Sequence, residues 1–497
     1  ISATIALSMI QSTDIPLEVR AVADRLRSAG YDAYLVGGCV RDLLLGKNPK
    51  DWDFTTDAVP EAIIAIFPDS FCNNDYGTVG VKTDSEDPRL AVVEVTPYRS
   101  EGEYSDARRP DSVTFGVSLE EDLARRDFTV NAIALRPHDT AIIDIYGGLE
   151  DLRAKRLKAV GEPGERFAED ALRMMRAVRL AAELDFTIDS ETMQGIFANR
   201  ERLGQIAIER ISTEFQKLVL SATPMQGIGF LEKLGLLPYV LPEIEPAIGC
   251  EQGGIHAYDV YEHLLRTLQA AADKGYRIEM RLAALLHDIG KPATRRTGGK
   301  NKLYTFFGHE VVGARMTKAI LERLKLPRDI IDTVENLVRW HMFFADTEEI
   351  TLSAVRRTIT RVGEDQIENL LNLRVCDRIG TGRPKEQPFR FRKYKAMVDE
   401  ALRDPISVKM LKMDGTKIMA LTGEKPGKKL GYILHTLLEE VLVDPGKNTE
   451  EYLDNRVKEL HLLDETALKA LGDAGKDKLA EEEAAALREI AREHKVG

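Results

Sequence analysis

Two aspartates separated by a single tryptophan have the spacing of a metal site. Asp51 and Asp53 lie in the segment DWDF (51–54), whose bulky residues are typical of a β-strand. Side chains two positions apart on a strand point to the same face, about 7 Å apart. Two carboxylates that close repel each other unless a cation lies between them, and their oxygens suit Mg²⁺ together with substrate phosphates. The alternative is an exposed strand face without a ligand.

A glycine turn precedes this pair and could hold phosphate groups. Gly37 and Gly38 fall between an apolar run and a short helical segment that carries Arg41. Glycine lets backbone N–H groups approach a ligand, a helix N-terminus favours anions, and arginine adds a forked donor. Taken alone, two glycines indicate no more than a plain turn. Together with Glu94, a charge that interrupts the apolar segment AVVEVTPY (91–98), they predict metal-assisted attack of a hydroxyl on an α-phosphate.

Two further motifs contain side chains that could hold and select a nucleotide. The segment RRDFTVNA (125–132) carries Arg126, which could hold a triphosphate, although a surface ion pair is an equal alternative. The segment EDALR sets Asp170 and Arg173 three apart, on one face of a helix predicted for residues 169–184. Aspartate accepts and arginine donates hydrogen bonds, so the pair could match the Watson–Crick edge of cytosine or adenine. An ordinary salt bridge within a helix is the alternative.

Histidines in the second half of the chain predict another metal site. The segment LLHDIGKP places His287 beside Asp288 at the end of an apolar helix, and His263, His309 and His341 lie on separate helical segments. A single buried histidine is more often a core residue with satisfied hydrogen bonds. Several histidines with an adjacent aspartate can instead converge on one divalent ion.

The elements that must position these residues change character along the chain. Short β-branched or alternating runs bounded by Gly, Pro and Asp predict a mixed α+β region over residues 15–160. After Pro163 the helical period dominates, and a Pro- and Gly-rich stretch over 238–254 separates two helical blocks. The predicted strands are Tyr31–Val36, Trp52–Thr56, Gly77–Lys82, Leu90–Pro97, Asn131–Leu135 and Ile142–Tyr146.

Composition bounds the class of protein. The 497 residues are 43% hydrophobic and 30% charged, which is typical of globular domains. The first residues have no basic segment and carry polar side chains, so we expect neither a signal peptide nor a membrane span. Four widely spaced cysteines without a CxxC pair favour a reduced, cytoplasmic protein. The net charge of −12 argues against indiscriminate nucleic-acid binding but allows a local basic groove.

Basic residues concentrate in two segments near residues 355–395. They are interleaved with aromatic rings in the second segment, a pattern that can follow phosphates while the rings stack on bases. A solvated basic loop is the alternative. The candidate RNA-binding residues here are Arg356, Arg357, Arg390, Arg392 and Lys393.

The order of motifs over residues 30–245 resembles a known family. GGCVRD, DWDF, RRDFTVNAIA, DIYGGLEDL, RFAEDALRMMRAVRL and ERISTEFQKLVL follow one another as in the bacterial-type (class II) CCA-adding tRNA nucleotidyltransferases and poly(A) polymerases. The resemblance implies an α+β nucleotidyltransferase head with a mixed sheet flanked by helices, followed by an all-α neck, body and tail.

This resemblance also implies roles for individual residues. Asp51 and Asp53 would be Mg²⁺ ligands, with Glu94 as the third strand carboxylate, and Asp170 with Arg173 would be a protein template for CTP and ATP. The expected nucleotide-binding residues are Gly37, Gly38, Arg41, Arg126, Asp127, Asn131, Asp170, Arg173, Arg176 and Arg179.

The family contains enzymes that add CCA, CC, a single A or poly(A). Members that add A resemble one another in a loop between two motifs, and the segment YRSEGEYSDARRPDSVTF (98–115) with Arg108 and Arg109 corresponds to that loop. Its presence argues against a CC-only enzyme. We therefore expect CCA addition to tRNA from CTP and ATP, with poly(A) polymerase or A-only addition as alternatives. A nucleotide- or RNA-binding regulator is the non-enzymatic alternative.

HDIGK and its surroundings (258–378) resemble the HD superfamily of metal-dependent phosphohydrolases. The resemblance implies His263, His287, Asp288 and Asp377 as four metal ligands, His309 and His341 as additional ligands, and Lys291 near a phosphate. The metal would be Mg²⁺ or a divalent transition metal. Hydrolysis of phosphoesters at RNA 3′ ends or in nucleotides is expected, and a metal site that only stabilises the body is the alternative.

The expected organisation has five parts and no membrane partner. They are a head over 15–160, a helical neck that selects nucleotides over 161–250, an HD body over 251–380, a tRNA-anchoring tail over 381–465 and a charged helical extension over 466–497. Monomer and homodimer both remain open.

Overall fold

The computed structural model describes residues 6–72, 77–102, 112–253, 257–297, 304–343, 350–383 and 385–473. The chain divides into two compact units, Ile1–Pro242 and Glu243–Gly497. Within the described ranges, no helix combines the length and apolar character needed to cross a bilayer.

The first unit contains a mixed sheet and the helices around it. In chain order its strands are β1 (Ala33–Val36), β2 (Asp53–Thr56), β3 (Ser70–Cys72), β4 (Val79–Lys82), β5 (Val92–Pro97), β6 (Arg99–Glu101), β7 (Val113–Phe115), β8 (Ile133–Leu135), β9 (Ile142–Asp144), β10 (Arg156–Leu157) and β11 (Thr187–Ile188). Its helices are α1 (Leu17–Ser28), α2 (Gly38–Leu44), α3 (Pro60–Ile66), α4 (Leu119–Ala124), α5 (Gly148–Arg153), α6 (Pro163–Glu169), α7 (Leu172–Leu184), α8 (Ser190–Asn199), α9 (Ile208–Val219), α10 (Pro224–Lys233) and α11 (Leu237–Val240).

Seven strands form the main sheet, in the order β3-β4-β5-β2-β1-β8-β9. All neighbours are antiparallel except β2 and β5, which run parallel with Asp53 opposite Glu94. Apolar side chains of the central strands are fully buried, among them Leu35, Phe54 and Val95. This register carries the two predicted acidic residues to adjacent positions at the beginning of β2 and near the beginning of β5.

The predicted strands exist, with shorter bounds. The first begins at Ala33 rather than Tyr31, the second at Asp53 rather than Trp52, and the last ends at Asp144 rather than Tyr146. The edge strand β3 and the short pairs β6–β7 and β10–β11 were not predicted. Asn131 lies in a 3₁₀ turn over Thr129–Asn131, before β8 rather than in it.

The second unit is almost entirely helical. Its helices are α12 (Val260–Asp273), α13 (Ile278–Leu286), α14 (Lys291–Thr294), α15 (His309–Arg323), α16 (Arg328–Trp340), α17 (Leu352–Val362), α18 (Ile367–Gly380), α19 (Phe389–Ala401), α20 (Gly415–Thr422), α21 (Lys428–Val443), α22 (Glu450–His461) and α23 (Glu465–Asp473), with one hairpin of β12 (Arg296–Thr297) and β13 (Tyr304–Thr305). The predicted fold class, a mixed sheet with flanking helices followed by helical regions, is confirmed.

Close packing of α12 against α18 depends on a glycine. A Cβ atom on Gly380 would lie 2.1 Å from Oγ1 of Thr267 and 3.1 Å from the carbonyl oxygen of His263. Contacts this short are not tolerated by real Cβ atoms, so only glycine lets the two backbones approach so closely. Because His263 is on α12 and Asp377 is on α18, this crossing brings two predicted metal ligands together.

Candidate active sites

Three acidic side chains meet where β2 begins. Asp53 is the first residue of β2 and is partly buried beside Glu94, whereas Asp51 is exposed in the preceding loop. The two aspartates therefore do not both belong to one strand, as the sequence had suggested. Burial first, then the negative charges of Glu94 and Asp51, raise the pKa of Asp53 to about 6, while Arg126 opposes them. Carboxylates that hinder one another's ionisation in this way are typical of a cation site.

Gly37 allows the phosphate-type turn to approach this acidic group. Its backbone has φ of 77°, a conformation that favours glycine, and a Cβ atom would lie 3.3 Å from Nη1 of Arg126 and 3.6 Å from Oδ2 of Asp53. Gly38 is the first residue of α2. The turn, an arginine and an aspartate thus lie together, as the sequence predicted for a phosphate site next to a metal site.

Asp122 is a buried acid that sequence reasoning missed. Its Oδ2 accepts from Oγ1 of Thr55 at 3.0 Å and from Nη2 of Arg126 at 3.5 Å, and its Oδ1 accepts from Nη2 of Arg125 at 2.7 Å. Burial would raise the pKa of Asp122, but the two arginines hold it below its ordinary value. The carboxylate therefore fixes Arg126 toward β2. The signal in the sequence that could have identified Asp122 is an acidic residue in the helix just before the segment RRD (125–127).

A chain of polar contacts joins α2 to α7. Nη1 of Arg41 donates to Oδ1 of Asn131 at 2.7 Å, and Nδ2 of Asn131 donates to Oδ1 of Asp127 at 3.1 Å. Oδ2 of Asp127 accepts from Nε and Nη2 of Arg176 at 2.9 and 2.5 Å. Burial would raise the pKa of Asp127, but Arg176 and Asn131 lower it to about 2. Four predicted nucleotide-binding residues are thus brought together.

Asp170 and Arg173, the pair predicted to read the base, do not both lie in one helix as predicted. Asp170 is the extended residue between α6 and α7, so the prediction of one helix over 169–184 is wrong at its N-terminal end. Oδ1 of Asp170 accepts from the N–H of Leu172 at 3.0 Å, and Oδ2 accepts from Nη2 of Arg210 at 3.2 Å. Aspartate satisfies free N–H groups at a helix start, which explains why α7 begins after it.

Arg173 is held by other partners than Asp170. Its guanidinium pairs with Glu169 and donates to the carbonyl oxygens of Arg166 and Arg125 at 3.1 and 3.2 Å. The partners of the Arg173 guanidinium thus differ from those of the Asp170 carboxylate. Arg210, in the segment ERISTEFQ, was the missed partner.

Arg179, one of the predicted nucleotide-binding residues, is paired with two carboxylates. It is buried, and its Nε and Nη1 donate to Glu214 at 2.5 Å and to Glu183 at 2.6 Å. Glu183 is on α7 and Glu214 is on α9, so the arginine links these two helices.

Four histidines and two aspartates converge in the second unit. Nε2 of His263 lies 3.1 Å from Nε2 of His287, 3.3 Å from Oδ2 of Asp288 and 3.3 Å from Oδ1 of Asp377. On the other side of the same aspartate, Oδ1 of Asp288 lies 3.1 Å from Nε2 of His309 and 3.4 Å from Nε2 of His341. Asp288 thus faces two ligand groups, one with each oxygen.

Three of the imidazoles present their Nε2 atoms to the centre because their Nδ1 atoms face the backbone. Nδ1 lies 3.0 Å from the carbonyl of Ala284 for His287, 2.7 Å from that of Phe306 for His309, and 2.7 Å from that of Val338 for His341. A carbonyl oxygen can only accept, so each Nδ1 carries the proton and each Nε2 offers a lone pair. Histidine ligands of metals are oriented in this manner.

The residues fit a divalent ion on each side of Asp288. Two groups, His263–His287–Asp288 and Asp288–His309–His341, are buried and have ligand atoms within 4.8 Å of one another. Bonds of about 2.0–2.1 Å to one ion place neighbouring ligand atoms roughly 3.0–3.4 Å apart, depending on geometry. The observed separations of 3.1–3.4 Å agree with this spacing.

The charge of the centre is balanced by Lys291. Its Nζ lies 2.6 Å from Oδ2 of Asp288 and is almost fully buried. Burial would raise the pKa of Asp288, but Lys291 and His287 hold it well below the ordinary value. For His263, burial would lower the pKa, but Asp288 and Asp377 raise it to about 9. All six predicted ligands are therefore close together, in an environment that keeps the carboxylates ionised.

Comparisons with known proteins match the regions that contain the two candidate sites. A family model described as the poly A polymerase head domain matches residues 33–158, one described as the probable RNA and SrmB-binding site of polymerase A matches 185–248, and the HD domain model matches 260–381. The CC-adding tRNA nucleotidyltransferase of Thermus thermophilus is 34% identical over 418 residues, covering 82% of this chain and 89% of that protein. The chain belongs to the tRNA nucleotidyltransferase and poly(A) polymerase family.

Other members of the family match over different lengths. The CCA-adding enzyme of Limosilactobacillus reuteri is 48% identical over 229 residues, which are 46% of this chain and 55% of that protein, so the chain spans about half the length of such relatives. A crystal structure of the Bacillus stearothermophilus CCA-adding enzyme with CTP is similar with a TM-score of 0.66 at 29% identity, covering 90% of this chain and 98% of that one.

The predicted RNA-binding residues of the second unit differ in exposure. Arg356 is buried and donates from Nε to Asp404 at 2.9 Å and from Nη1 to the carbonyl of Leu442 at 3.0 Å. Arg357 is half-buried and pairs with Glu439 at 3.0 Å. Exposed side chains on the first turns of α19 are those of Arg390, Arg392 and Lys393. Arg108 and Arg109 lie outside the described residues.

Proposed function

We propose that this protein adds CCA to the 3′ end of tRNA from CTP and ATP by metal-dependent nucleotidyl transfer. The observation that carries the proposal is the register of β2 and β5, which sets Asp53 beside Glu94, with Gly37 and Arg126 in contact with the same site. CCA-adding relatives and the CTP-bound structural neighbour support the choice of reaction.

Asp53 and Asp51 would hold Mg²⁺, with Glu94 as a neighbouring carboxylate. The bound ion supplies a lowered pKa for the attacking hydroxyl and neutralises charge on the departing pyrophosphate. The N–H groups at Gly37–Gly38 and the guanidinium of Arg126 would bind the phosphates and fix the α-phosphate in line with the tRNA 3′ hydroxyl.

Asp170 and Arg173 would select the base. A carboxylate offers about four lone-pair sites, so Asp170 can accept from an exocyclic amine while it keeps Leu172 and Arg210 as partners. Arg173 would donate to the adjacent ring acceptor. Cytosine and adenine present this amine-plus-acceptor edge, while guanine and uracil present the reverse.

An extension assay tests the proposal. A tRNA transcript lacking its last three nucleotides is incubated with CTP, ATP and Mg²⁺, and the product should gain CCA and stop. The Asp53→Asn variant should lose this activity while retaining the folded state. Tails longer than one A with ATP alone would indicate a poly(A) polymerase, and extension only of tRNA that already ends in CC would indicate A-only addition.

CC addition is the second candidate, because the Thermus thermophilus relative that aligns over most of the chain is a CC-adding enzyme. A tRNA that already ends in CC distinguishes the two. We expect this chain to add A to it. A product that stops at CC from either substrate would overturn CCA addition in favour of this candidate.

We further propose that the HD site hydrolyses phosphoesters at RNA 3′ ends or in nucleotides. The convergence of His263, His287, Asp288 and Asp377, with His309 and His341 across the shared aspartate, supports it. Mg²⁺ or a transition metal would occupy the site, and imidazole ligands favour the latter. The substrates to try are 2′,3′-cyclic nucleotides, 2′-nucleotides and simple monoesters with Mg²⁺, Mn²⁺, Ni²⁺ or Co²⁺.

The discriminating variant is His287→Ala. Loss of hydrolysis with unchanged nucleotide addition would establish two separate sites. If the wild-type protein hydrolyses none of these substrates with any of the metals, the metal site serves only the stability of the body.

The exposed basic turn of α19 would contact the phosphates of tRNA. Such binding is directed at shape and backbone, so its affinity should fall steeply with salt. A flat response between low and moderate salt would contradict this. We also propose a cytoplasmic location, which agrees with the presence of four free cysteines.

A further inference from the structure

A buried glutamine contacts the HD centre from outside the matched HD domain. Gln252 lies between the segments matched by two family models, which end at residue 248 and begin at residue 260. Its side chain is only 5% exposed. Buried amides are retained in proteins where their hydrogen bonds are satisfied, so its partners indicate its role.

Three hydrogen bonds fix the orientation of this amide. Nε2 of Gln252 donates to the carbonyl oxygens of Tyr258 at 3.3 Å and Asp259 at 3.2 Å. Because both partners can only accept, the NH₂ group must face them and Oε1 must face the other way. Oε1 accepts from Nζ of Lys291 at 2.6 Å.

The segment that carries Gln252 is tied to the start of α12. Oδ2 of Asp259 accepts from the N–H of Gly249, and Oδ1 accepts from the N–H of Glu262, both at 2.7 Å. The N–H of Val260 also donates to the carbonyl of Cys250 at 3.0 Å. The glutamine is therefore anchored to the same helix that carries the metal ligand His263.

Lys291 lies between Gln252 and a metal-facing oxygen. Its Nζ is 2.6 Å from Oε1 of Gln252 and 2.6 Å from Oδ2 of Asp288. That Oδ2 is also the atom 3.2 Å from Nε2 of His287. An ammonium drawn wholly onto Asp288 would compete with a cation for this oxygen. The glutamine gives the ammonium a second acceptor at the same distance.

We propose that Gln252 is a positioning residue that sets the metal affinity of the HD centre by sharing the Lys291 ammonium with Asp288. This inference rests on the proposed HD metal site, but not on any particular substrate. Substitution of groups that orient metal ligands typically weakens metal binding about 10- to 100-fold.

The test is direct Mn²⁺ binding, measured by electron paramagnetic resonance on the full chain. The Asp53→Asn background removes the contribution of the head. Gln252→Met keeps the side-chain length and removes the amide. The control is Gln269→Met, which makes the same change on α12 at a glutamine whose amide donates to the exposed Asp273. We expect Gln252→Met to weaken Mn²⁺ binding about 10- to 100-fold and Gln269→Met to leave it within twofold.

A double-mutant cycle with Lys291→Met separates positioning from general packing. If the glutamine acts through the lysine, the double variant should bind Mn²⁺ as the Lys291→Met variant does. Additive losses, or a Gln252→Met affinity within twofold of the parent, would overturn the inference. Unchanged nucleotide addition and an unchanged melting temperature in Gln252→Met, made without Asp53→Asn, exclude misfolding. Failure of the parent to bind Mn²⁺ would overturn the metal site itself, which is a different result.

Discussion

Protonation of Asp53 should control how tightly the head binds a divalent ion. The pKa of this carboxyl is raised from 3.8 to about 6 by burial and by the charges of Glu94 and Asp51. A metal ligand must be ionised, so protons compete with the ion below that value. The apparent dissociation constant then rises by the factor 1 + 10^(pKa − pH). For a pKa of about 6, this factor is about 1.1 at pH 7 and about 11 at pH 5.

We therefore expect Mn²⁺ binding by the head to weaken about tenfold between pH 7 and pH 5. The measurement is a Mn²⁺ titration without nucleotide, so that protonation of the triphosphate does not contribute. It uses the His287→Ala background, in which the HD site is disabled. An aspartate with the ordinary pKa of 3.8 would give almost no change over this range.

The Glu94→Gln variant tests the cause of the shift. Removal of this neighbouring charge lowers the pKa of Asp53, so the ratio of affinities between pH 7 and pH 5 should shrink, whatever the absolute affinity becomes. A parent affinity that is constant within twofold over the range would refute the raised pKa. An unchanged ratio in Glu94→Gln would refute the role of the glutamate.

Three further predictions follow from single contacts. The pKa of Asp127 is lowered from 3.8 to about 2, so its ionised form stabilises the fold by about 2 kcal/mol above pH 3.8. This stabilisation is lost as the pH falls to 2. In urea unfolding, the Arg176→Met variant should lose less stability over the same pH range. Arg356→Met should destabilise the second unit by about 3 kcal/mol in thermal unfolding without changing the salt dependence of tRNA binding, whereas Arg390→Met should reduce the salt slope by about 1 and leave stability unchanged. Gly380→Ala should cost about 1–3 kcal/mol and weaken Mn²⁺ binding by the HD site while nucleotide addition persists, because α12 and α18 must separate. Equal stability of Arg356→Met and Arg390→Met would contradict the different roles given to these arginines. Full Mn²⁺ affinity of the HD site in Gly380→Ala would contradict the role given to the glycine.

The sequence predicted element types better than side-chain partners. Strand runs with alternating or β-branched residues were recognisable because a half-buried strand imposes a period of two. The pairing of β2 with β5 could not be predicted, since it depends on a non-local register. That register sets Asp53 opposite Glu94 and leaves Asp51 in the loop.

Helix boundaries and buried ion pairs could not be predicted from local sequence patterns. The spacing of EDALR fits a helix, but Asp170 ends α6 because it bonds the N–H of Leu172 and the guanidinium of Arg210, forty residues away. Likewise Arg356 reads as a surface residue in a basic segment, whereas Asp404 draws it into the interior. Arg210 and Asp404 are distant in sequence from the residues that they bind, so neither propensity nor period could identify them.

Three of the four histidines predicted to bind metal in the HD centre lie at the ends of helices. His287 and His341 immediately follow the last residues of α13 and α16, and His309 is the first residue of α15. Helix ends are the places where backbone hydrogen bonds open most easily. An ion bound there would clamp three fraying ends at once, so its removal should first be visible as faster amide hydrogen exchange at these termini, with the middle of each helix unaffected.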